Sequence, residues 1–217
     1  MSEVSGMQGL ALALAYLIGA IPVGLVIGLA RGVDVRQVGS GNIGATNVMR
    51  GLGAGLGLLV FAIDVLKGVA GVMIGRAMGL DGWLLGMSAM FAVVGHSFSP
   101  YLAFKGGKGV ATTLGAMLAI APPTGLIALG LWFVIVLATR YVSLASILGA
   151  ASLPISYYLL HPAQTGTLVP VVALVIIVVG RHNENIARLL KGEESRFGSS
   201  RAQADEQAEA QAPAAEK

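Results

Sequence analysis

Residues 10–29 read LALALAYLIGAIPVGLVIGL, twenty residues without a charge. As a helix rising about 1.5 Å per residue, this stretch covers roughly 30 Å, the hydrocarbon thickness of a bilayer. The rest of the chain agrees with it. Over 217 residues the sequence is 55% hydrophobic and 12% charged, with a mean hydropathy of +0.79, whereas a soluble domain carries about 25% charged residues. The expected fold class is therefore an all-α integral membrane protein. Residues 1–9 contain no Lys or Arg, and the run that follows is longer than the apolar core of about 7–15 residues in a secretion signal, so it reads as a first span and not as a cleaved leader.

Further apolar runs at 52–74, 83–98, 110–121, 125–139, 143–160 and 168–180 bring the expectation to about seven transmembrane helices, some of them short. The fourth has 12 residues and would reach about 18 Å, or about 24 Å if its helix began at Gly106. A helix that starts at membrane depth is tolerated only where its end lines a cavity or is buried in protein. Gly24 and Gly28 in the first span, and Gly51, Gly53, Gly55 and Gly57 before the second, have the spacing of close helix contacts. Asp64 and Lys67 lie inside the second span, three apart and so on one face. They either line a polar cavity or form an ion pair that locks helices together. Pro154 marks a kink in the sixth span. Residues 1–196 read as one membrane-embedded domain. Residues 197–217, rich in Ala, Gln and Glu without apolar periodicity, read as a disordered polar tail.

Three polar stretches interrupt this apolar chain. The first is Gly39-Ser-Gly-Asn-Ile-Gly-Ala-Thr-Asn-Val-Met-Arg50. Its glycines permit tight turns, successive backbone N–H groups can form an anion nest, and Arg50 adds a planar guanidinium suited to phosphate. A helix beginning near Ala45 or Thr46 would point further donors at the same place. The second is Gly95-His96 with Phe104-Lys-Gly-Gly-Lys-Gly-Val-Ala-Thr-Thr113. It is not a Walker A loop, because Lys108 is followed by Gly109. The third is Arg181-His-Asn-Glu-Asn-Ile-Ala-Arg-Leu-Leu190. With seven spans, alternate loops share a face, and every basic residue except Lys67 and Arg76 falls on the face that holds all three stretches. The positive-inside rule makes that face cytoplasmic, with the N-terminus outside and the C-terminus inside.

So many cations with so few acids call for a polyanionic ligand, such as two phosphates at once. The absence of cysteine excludes disulfides and thiolate metal sites, and three histidines without an acidic cluster argue against a catalytic metal. There is no Gly-x-Ser-x-Gly nucleophile elbow, since Ser40 sits in Gly39-Ser40-Gly41. No Asp stands five residues after His96, His161 or His182, so a His-x4-Asp dyad is absent too. A phosphate or phospho-ester transporter is the alternative reading, but it would need a second basic opening on the far face, where Arg76 stands alone.

The three stretches, with Asp64-x-x-Lys67-Gly68, resemble in order the acyl-phosphate:glycerol-3-phosphate acyltransferases of bacterial membranes, the PlsY family. The resemblance spans about residues 7–195. It implies an enzyme of the bacterial inner membrane that moves a fatty acyl group from acyl phosphate to the 1-hydroxyl of sn-glycerol 3-phosphate. Lysophosphatidate and inorganic phosphate would be released, as a step of phospholipid synthesis. It implies no cofactor, metal or nucleic-acid partner, and leaves the oligomeric state open. On this reading Ser40, Arg50 and Lys105 grip the glycerol phosphate, aided by Asn185 and His182. Gly41, Asn42, Thr46, Asn47, Gly106, Gly107, Lys108, Gly109 and Thr112 bind substrate, chiefly the acyl phosphate and its departing phosphate. His96 is either the general base for the hydroxyl or a hydrogen-bonded structural group. In the second case a phosphate oxygen of the donor takes the proton.

Overall fold

The computed structural model describes residues 5–198; most of the expected tail at 197–217 lies outside the described residues. Among those residues the chain is helical, without a strand. Its helices are α1 (Gly6–Ala20), α2 (Val23–Ala30), α3 (Ala45–Leu52), α4 (Ala54–Ala77), α5 (Gly82–Ser97), α6 (Val110–Ile120), α7 (Pro122–Thr139), α8 (Val142–Leu160), α9 (Thr165–Gly180) and α10 (Asn183–Lys191). Four segments are long and apolar enough to cross a membrane on their own: Gly6–Ala30, Ala54–Ala77, Pro122–Thr139 and Val142–Leu160. Helices α5, α6 and α9 are shorter, and α6, with 11 residues, reaches only about 17 Å.

The first apolar run differs from the expected straight span in two ways. It starts earlier, because Ser5 and Gln8 form a reciprocal capping box: Gln8 N–H donates to Ser5 Oγ at 3.3 Å and Ser5 N–H to Gln8 Oε1 at 2.9 Å. It also breaks at Ile21–Pro22, since proline has no N–H to continue the ladder and its ring opposes the preceding turn. The break leaves carbonyls that apolar surroundings cannot satisfy. Ser99 Oγ donates to the Ala20 carbonyl at 2.6 Å, and Lys67 Nζ to the Ile21 carbonyl at 2.7 Å. Pro154, by contrast, sits inside one continuous 19-residue helix.

The closest helix crossings use glycines in reciprocal pairs. A Cβ on Gly68 would collide with the Thr112 carbonyl, and one on Gly115 with the Val65 carbonyl, so α4 and α6 meet backbone to backbone. Gly19 and Gly95 do the same for α1 and α5, against the carbonyls of Ala92 and Tyr16. Gly24 and Gly28, expected to face another helix, instead admit the loop that follows α2, against the Ile43 and Val33 carbonyls. Of the glycines around the start of α4, Gly57 meets Met49 and Gly51 meets Val38, while Gly53 and Gly55 touch nothing within 4 Å. Gly53 serves as a joint, at φ +91°, between the polar α3 and the apolar α4.

Candidate active site

Asn47 organises the first stretch. It is 3% exposed. Its Nδ2 donates to the Val35 carbonyl at 2.8 Å, while its Oδ1 accepts from Ser40 N–H at 2.8 Å and from Ser40 Oγ at 3.2 Å. Its amide is therefore spent on holding the loop, so its part in binding is indirect. Gly39 and Gly41 take φ of +55° and +68°, where a side chain is strained. Asn42 Oδ1 accepts from Gly44 N–H at 2.8 Å, an Asx turn that delivers the chain to the start of α3 at Ala45. No side chain caps that helix, which leaves its first N–H groups available to an anion. Arg50, four residues after Thr46, stands on the same face one turn along. Nearer the mouth, Arg36 Nη2 pairs with Asp34 Oδ2 at 2.7 Å, and the hydrogen bonds from Arg36 hold the Asp34 carboxyl down at about 2.

The second stretch is folded by its glycines. Gly106 N–H donates to the Ser97 carbonyl at 3.1 Å and Gly107 N–H to the His96 carbonyl at 3.0 Å. A Cβ on Gly106 would strike the His96 carbonyl, and one on Gly107 the His96 ring. Arg181 clamps the outer side: its Nη2 donates to the Gly106 carbonyl at 2.8 Å and its Nε to the Gly107 carbonyl at 3.2 Å, with its guanidinium 5.5 Å from the centre of the Phe98 ring. Gly109, at φ +80°, then opens α6.

The third stretch closes the site. Lys108 Nζ donates to Asn185 Oδ1 at 2.6 Å. Asn185 Nδ2 donates to Glu194 Oε1 at 2.6 Å, and Arg188 Nε to Glu194 Oε2 at 2.7 Å. Burial lowers the Lys108 ammonium from its ordinary value, against the attraction of Glu194. Burial also pushes Glu194 up, but the adjacent Ser143 hydroxyl and the hydrogen bonds from Asn185 and Arg188 together hold it below the ordinary glutamate value. His182 is 2% exposed. Its Nδ1–H donates to the Val178 carbonyl at 2.7 Å, and burial lowers its pKa to about 4. It is thus neutral near pH 7, with an unprotonated Nε2 able to accept a hydrogen bond from a hydroxyl.

Two adjoining pockets result. The larger encloses about 390 Å³ and is lined by Ser40, Asn42, Thr46, Asn47, Arg50, His96, Lys108, Gly109, His182 and Asn185, with an apolar flank that includes Phe61, Trp132 and Val142. The smaller, about 330 Å³, is lined by Arg36, Gly41, Lys105, Gly106, Arg181 and Glu184, and shares Ser40, Asn42, Lys108 and Arg188 with the first. Two of the expected substrate-binding residues stand apart. Thr112 is fully buried in the α4–α6 crossing, and Gly107 is spent on packing against His96. Glu194, Phe61 and the Trp132–Ser146 pair, in which Nε1 donates to Oγ at 3.2 Å, join the site without a signal in the sequence. Apolar residues of separate helices carry no local signal, and Glu194 lies in a polar segment that resembles an ordinary solvated turn.

A family model described as glycerol-3-phosphate acyltransferase matches residues 9–192. Among similar proteins, the glycerol-3-phosphate acyltransferase of Rubrobacter xylanophilus is 46% identical over 189 residues, covering 85% of this chain and 92% of its own. Glycerol-3-phosphate acyltransferase 1 of Deinococcus radiodurans is 47% identical over 189 residues, covering 87% and 95%. The crystal structure of PlsY, an integral membrane glycerol 3-phosphate acyltransferase, in its glycerol 3-phosphate form superposes with a TM-score of 0.85 at 41% identity, covering 91% of this chain and 98% of that one. Its lysophosphatidic acid form gives 0.82 at 41% identity, covering 89% and 96%.

Proposed function

This chain belongs to the glycerol-3-phosphate acyltransferase family, and on that premise we propose that it takes its acyl group from an acyl phosphate and releases lysophosphatidate and inorganic phosphate. The observation that carries this reading is the pair of joined cationic pockets sharing Ser40, Asn42, Lys108 and Arg188, of which the larger has the broader apolar flank, with Phe61, Trp132 and Val142 against Ile43 alone in the smaller. Two phosphorylated substrates fit that arrangement better than one. The smaller pocket, with Lys105 and the Gly41 and Gly106 backbone, suits glycerol 3-phosphate. The larger suits a phosphate with a chain attached: the open N–H groups of α3, Thr46, Arg50 and Lys108 face the phosphate, while Phe61 and Trp132 border the chain. Arg50 therefore moves from the expected glycerol-phosphate trio to the donor side.

Catalysis on this reading is mainly positioning and electrostatic preorganisation. The 1-hydroxyl oxygen attacks the acyl carbonyl carbon, the new ester bond forms, the carbonyl-to-phosphate oxygen bond breaks, and the hydroxyl proton leaves with the phosphate. His182 Nε2 and Asn185 orient the hydroxyl, and Lys108 meets the charge that develops on the departing phosphate. Positive side chains around that phosphate lower the cost of its second negative charge. We read the membrane arrangement as seven spans, with α1 and α2 forming the first and α4 to α9 the others, and with the site on the cytoplasmic face of the inner membrane.

The test is direct. Purified enzyme is given glycerol 3-phosphate with palmitoyl phosphate or, in parallel, palmitoyl-CoA. Equal amounts of lysophosphatidate and free phosphate from the acyl phosphate alone support the assignment. Activity with the thioester alone would overturn the donor. Lys105→Ala should lose about 10²–10³-fold in kcat/KM, the scale of one missing preorganised donor.

A further inference from the structure

Between the break in the first span and the lysine–glycine loop lies a buried ionic cluster that the proposed reaction does not use. Asp64, Lys67 and His96 are 3%, 6% and 5% exposed. Lys67 Nζ has three close neighbours: Asp64 Oδ1 at 2.8 Å, the Ile21 carbonyl at 2.7 Å and His96 Nδ1 at 3.2 Å. An ammonium offers three N–H donors and no acceptor. One N–H goes to the Ile21 carbonyl and the Asp64 carboxylate lies at ion-pair distance; since an ammonium cannot accept, its contact with His96 Nδ1 must be a donation to a bare ring nitrogen. Asp64 Oδ1 lies 3.6 Å from the same nitrogen, beyond hydrogen-bond length, so Lys67 and not Asp64 faces it. A neutral imidazole with Nδ1 unprotonated carries its proton on Nε2. His96 lines the larger cavity, and its Nε2 edge rests on Gly107, next to Lys108.

We infer that Lys67 is a positioning residue that fixes His96 as the Nε2–H tautomer, so that His96 presents a hydrogen-bond donor to the phosphate in the larger pocket and cannot serve as the general base. Asp64 lies against Lys67 at 2.8 Å, and the break at Pro22 leaves the Ile21 carbonyl able to accept from Lys67 as well as from the Val23 N–H. One cluster thereby joins the break in the first span to the chemistry of the site. His96 and His182 become opposites: His182 is fixed by Val178 with Nε2 as an acceptor, and His96 by Lys67 with Nε2 as a donor. Proton removal from the hydroxyl is left to the donor's own phosphate.

The inference rests on the proposed reaction only for the role of the donor, and the tautomer is measured without substrate. The enzyme is labelled with 15N-histidine, and two-bond 15N–1H spectra are recorded near pH 7.5, where the two neutral tautomers and the imidazolium are distinguishable. The signals lost in His96→Gln identify His96. The expected pattern is Nε2–H with bare Nδ1, giving way to a tautomer mixture in Lys67→Met. Nδ1–H or a doubly protonated ring in the parent enzyme would overturn the inference, as would an unchanged tautomer in Lys67→Met. If Lys67→Met does not purify folded, the parent spectrum decides. In the acyl-transfer assay, His96→Gln, whose amide keeps a donor, should lose less than about 10-fold, and His96→Phe about 10²-fold or more. Equal losses would overturn the donor role. A parent enzyme inactive with palmitoyl phosphate would overturn the reaction and not the tautomer.

Discussion

Asn47 and His182 show how single side chains set this site. Asn47 ties the turn at Val35 to the loop at Ser40 through its side chain, and both ends of its amide are used. Asn47→Ala strands the carbonyl of the buried Val35, at a cost of about 1–3 kcal/mol, and frees the Ser40 N–H. It should therefore lower the melting temperature in detergent and reduce activity through a loosened Ser40. Asn47→Asp should be worse than its size suggests, because a carboxylate oxygen would face the Val35 carbonyl. Thermal melts alongside kcat/KM for both variants check this. His182 makes the stability depend on pH. Its folded pKa of about 4 lies below the ordinary histidine value of 6.5, so between those values the unfolded chain holds more protons, and stability falls as the pH falls. The effect is absent above the unfolded value and reaches about 3 kcal/mol near pH 4, at about 1.36 kcal/mol per unit. Glu194, held below its ordinary value, loses its contribution in the same direction at still lower pH. Melting temperatures between pH 4.5 and 8 should drop on the acid side in the parent, and His182→Gln should flatten the upper part of that slope.

At the scale of elements, the glycines decide which helices can touch. Gly68 and Gly115 let α4 and α6 share backbone contact, and a methyl on either meets a carbonyl with nothing flexible to move aside. Gly68→Ala and Gly115→Ala should each destabilise by about 1–3 kcal/mol or more, the scale of overpacking a tight core. Gly130, inside α7 with nothing within 4 Å, is the control: Gly130→Ala should be neutral or stabilise by about 0.5–1 kcal/mol. A reversed order of melting temperatures would mean that these crossings are slack. The same glycines show what could be read from the chain. An i, i+4 spacing marks one face of one helix, so Gly24 and Gly28 were legible as a contact surface. The partner of Gly19 is Ala92, and that of Gly68 is Thr112, and no local pattern announces such a pairing. Apolar length placed most helices within a few residues, because burial in a bilayer leaves the backbone few alternatives to its own hydrogen bonds. It overlooked Pro22 as a break, since proline is tolerated in spans where neighbours satisfy the freed carbonyls, and here those neighbours are Ser99 and Lys67. The three polar stretches were legible as one site because glycine, lysine and asparagine have little reason to interrupt an apolar chain. Their division of labour was not legible: Asn47 and Arg181 turn inward to hold loops, and the difference lies in side-chain direction.

For the whole molecule, the proposed seven-span arrangement separates charge across the bilayer. On the seven-span reading, every described Lys and Arg apart from Lys67, buried with Asp64, and Arg76 at the end of α4, falls on the face that carries the site. A cluster of cations facing a phosphate is best kept on the side where soluble phosphorylated metabolites are made. The same charges oppose translocation of their loops, so orientation and catalysis draw on one set of residues. The chain contains no cysteine, so single cysteines report on this arrangement without background. Asp81→Cys and Ala163→Cys, both exposed in loops opposite the site, should react in intact cells with a membrane-impermeant thiol reagent. Arg31→Cys and Lys191→Cys, exposed on the site's own face, should react only after the membrane is opened. Labelling of Lys191→Cys in intact cells would turn the molecule over and put both pockets outside. The opposite outcome ties the glycerol phosphate pocket to the cytoplasm, and then Lys105, exposed at that pocket, is the first charge an incoming glycerol phosphate meets. Lys105→Ala should accordingly raise KM for glycerol 3-phosphate far more than KM for the acyl phosphate. The salt dependence of kcat/KM should flatten in the variant if the lysine draws substrate in through bulk water, where salt screens beyond about 10 Å at 0.1 M.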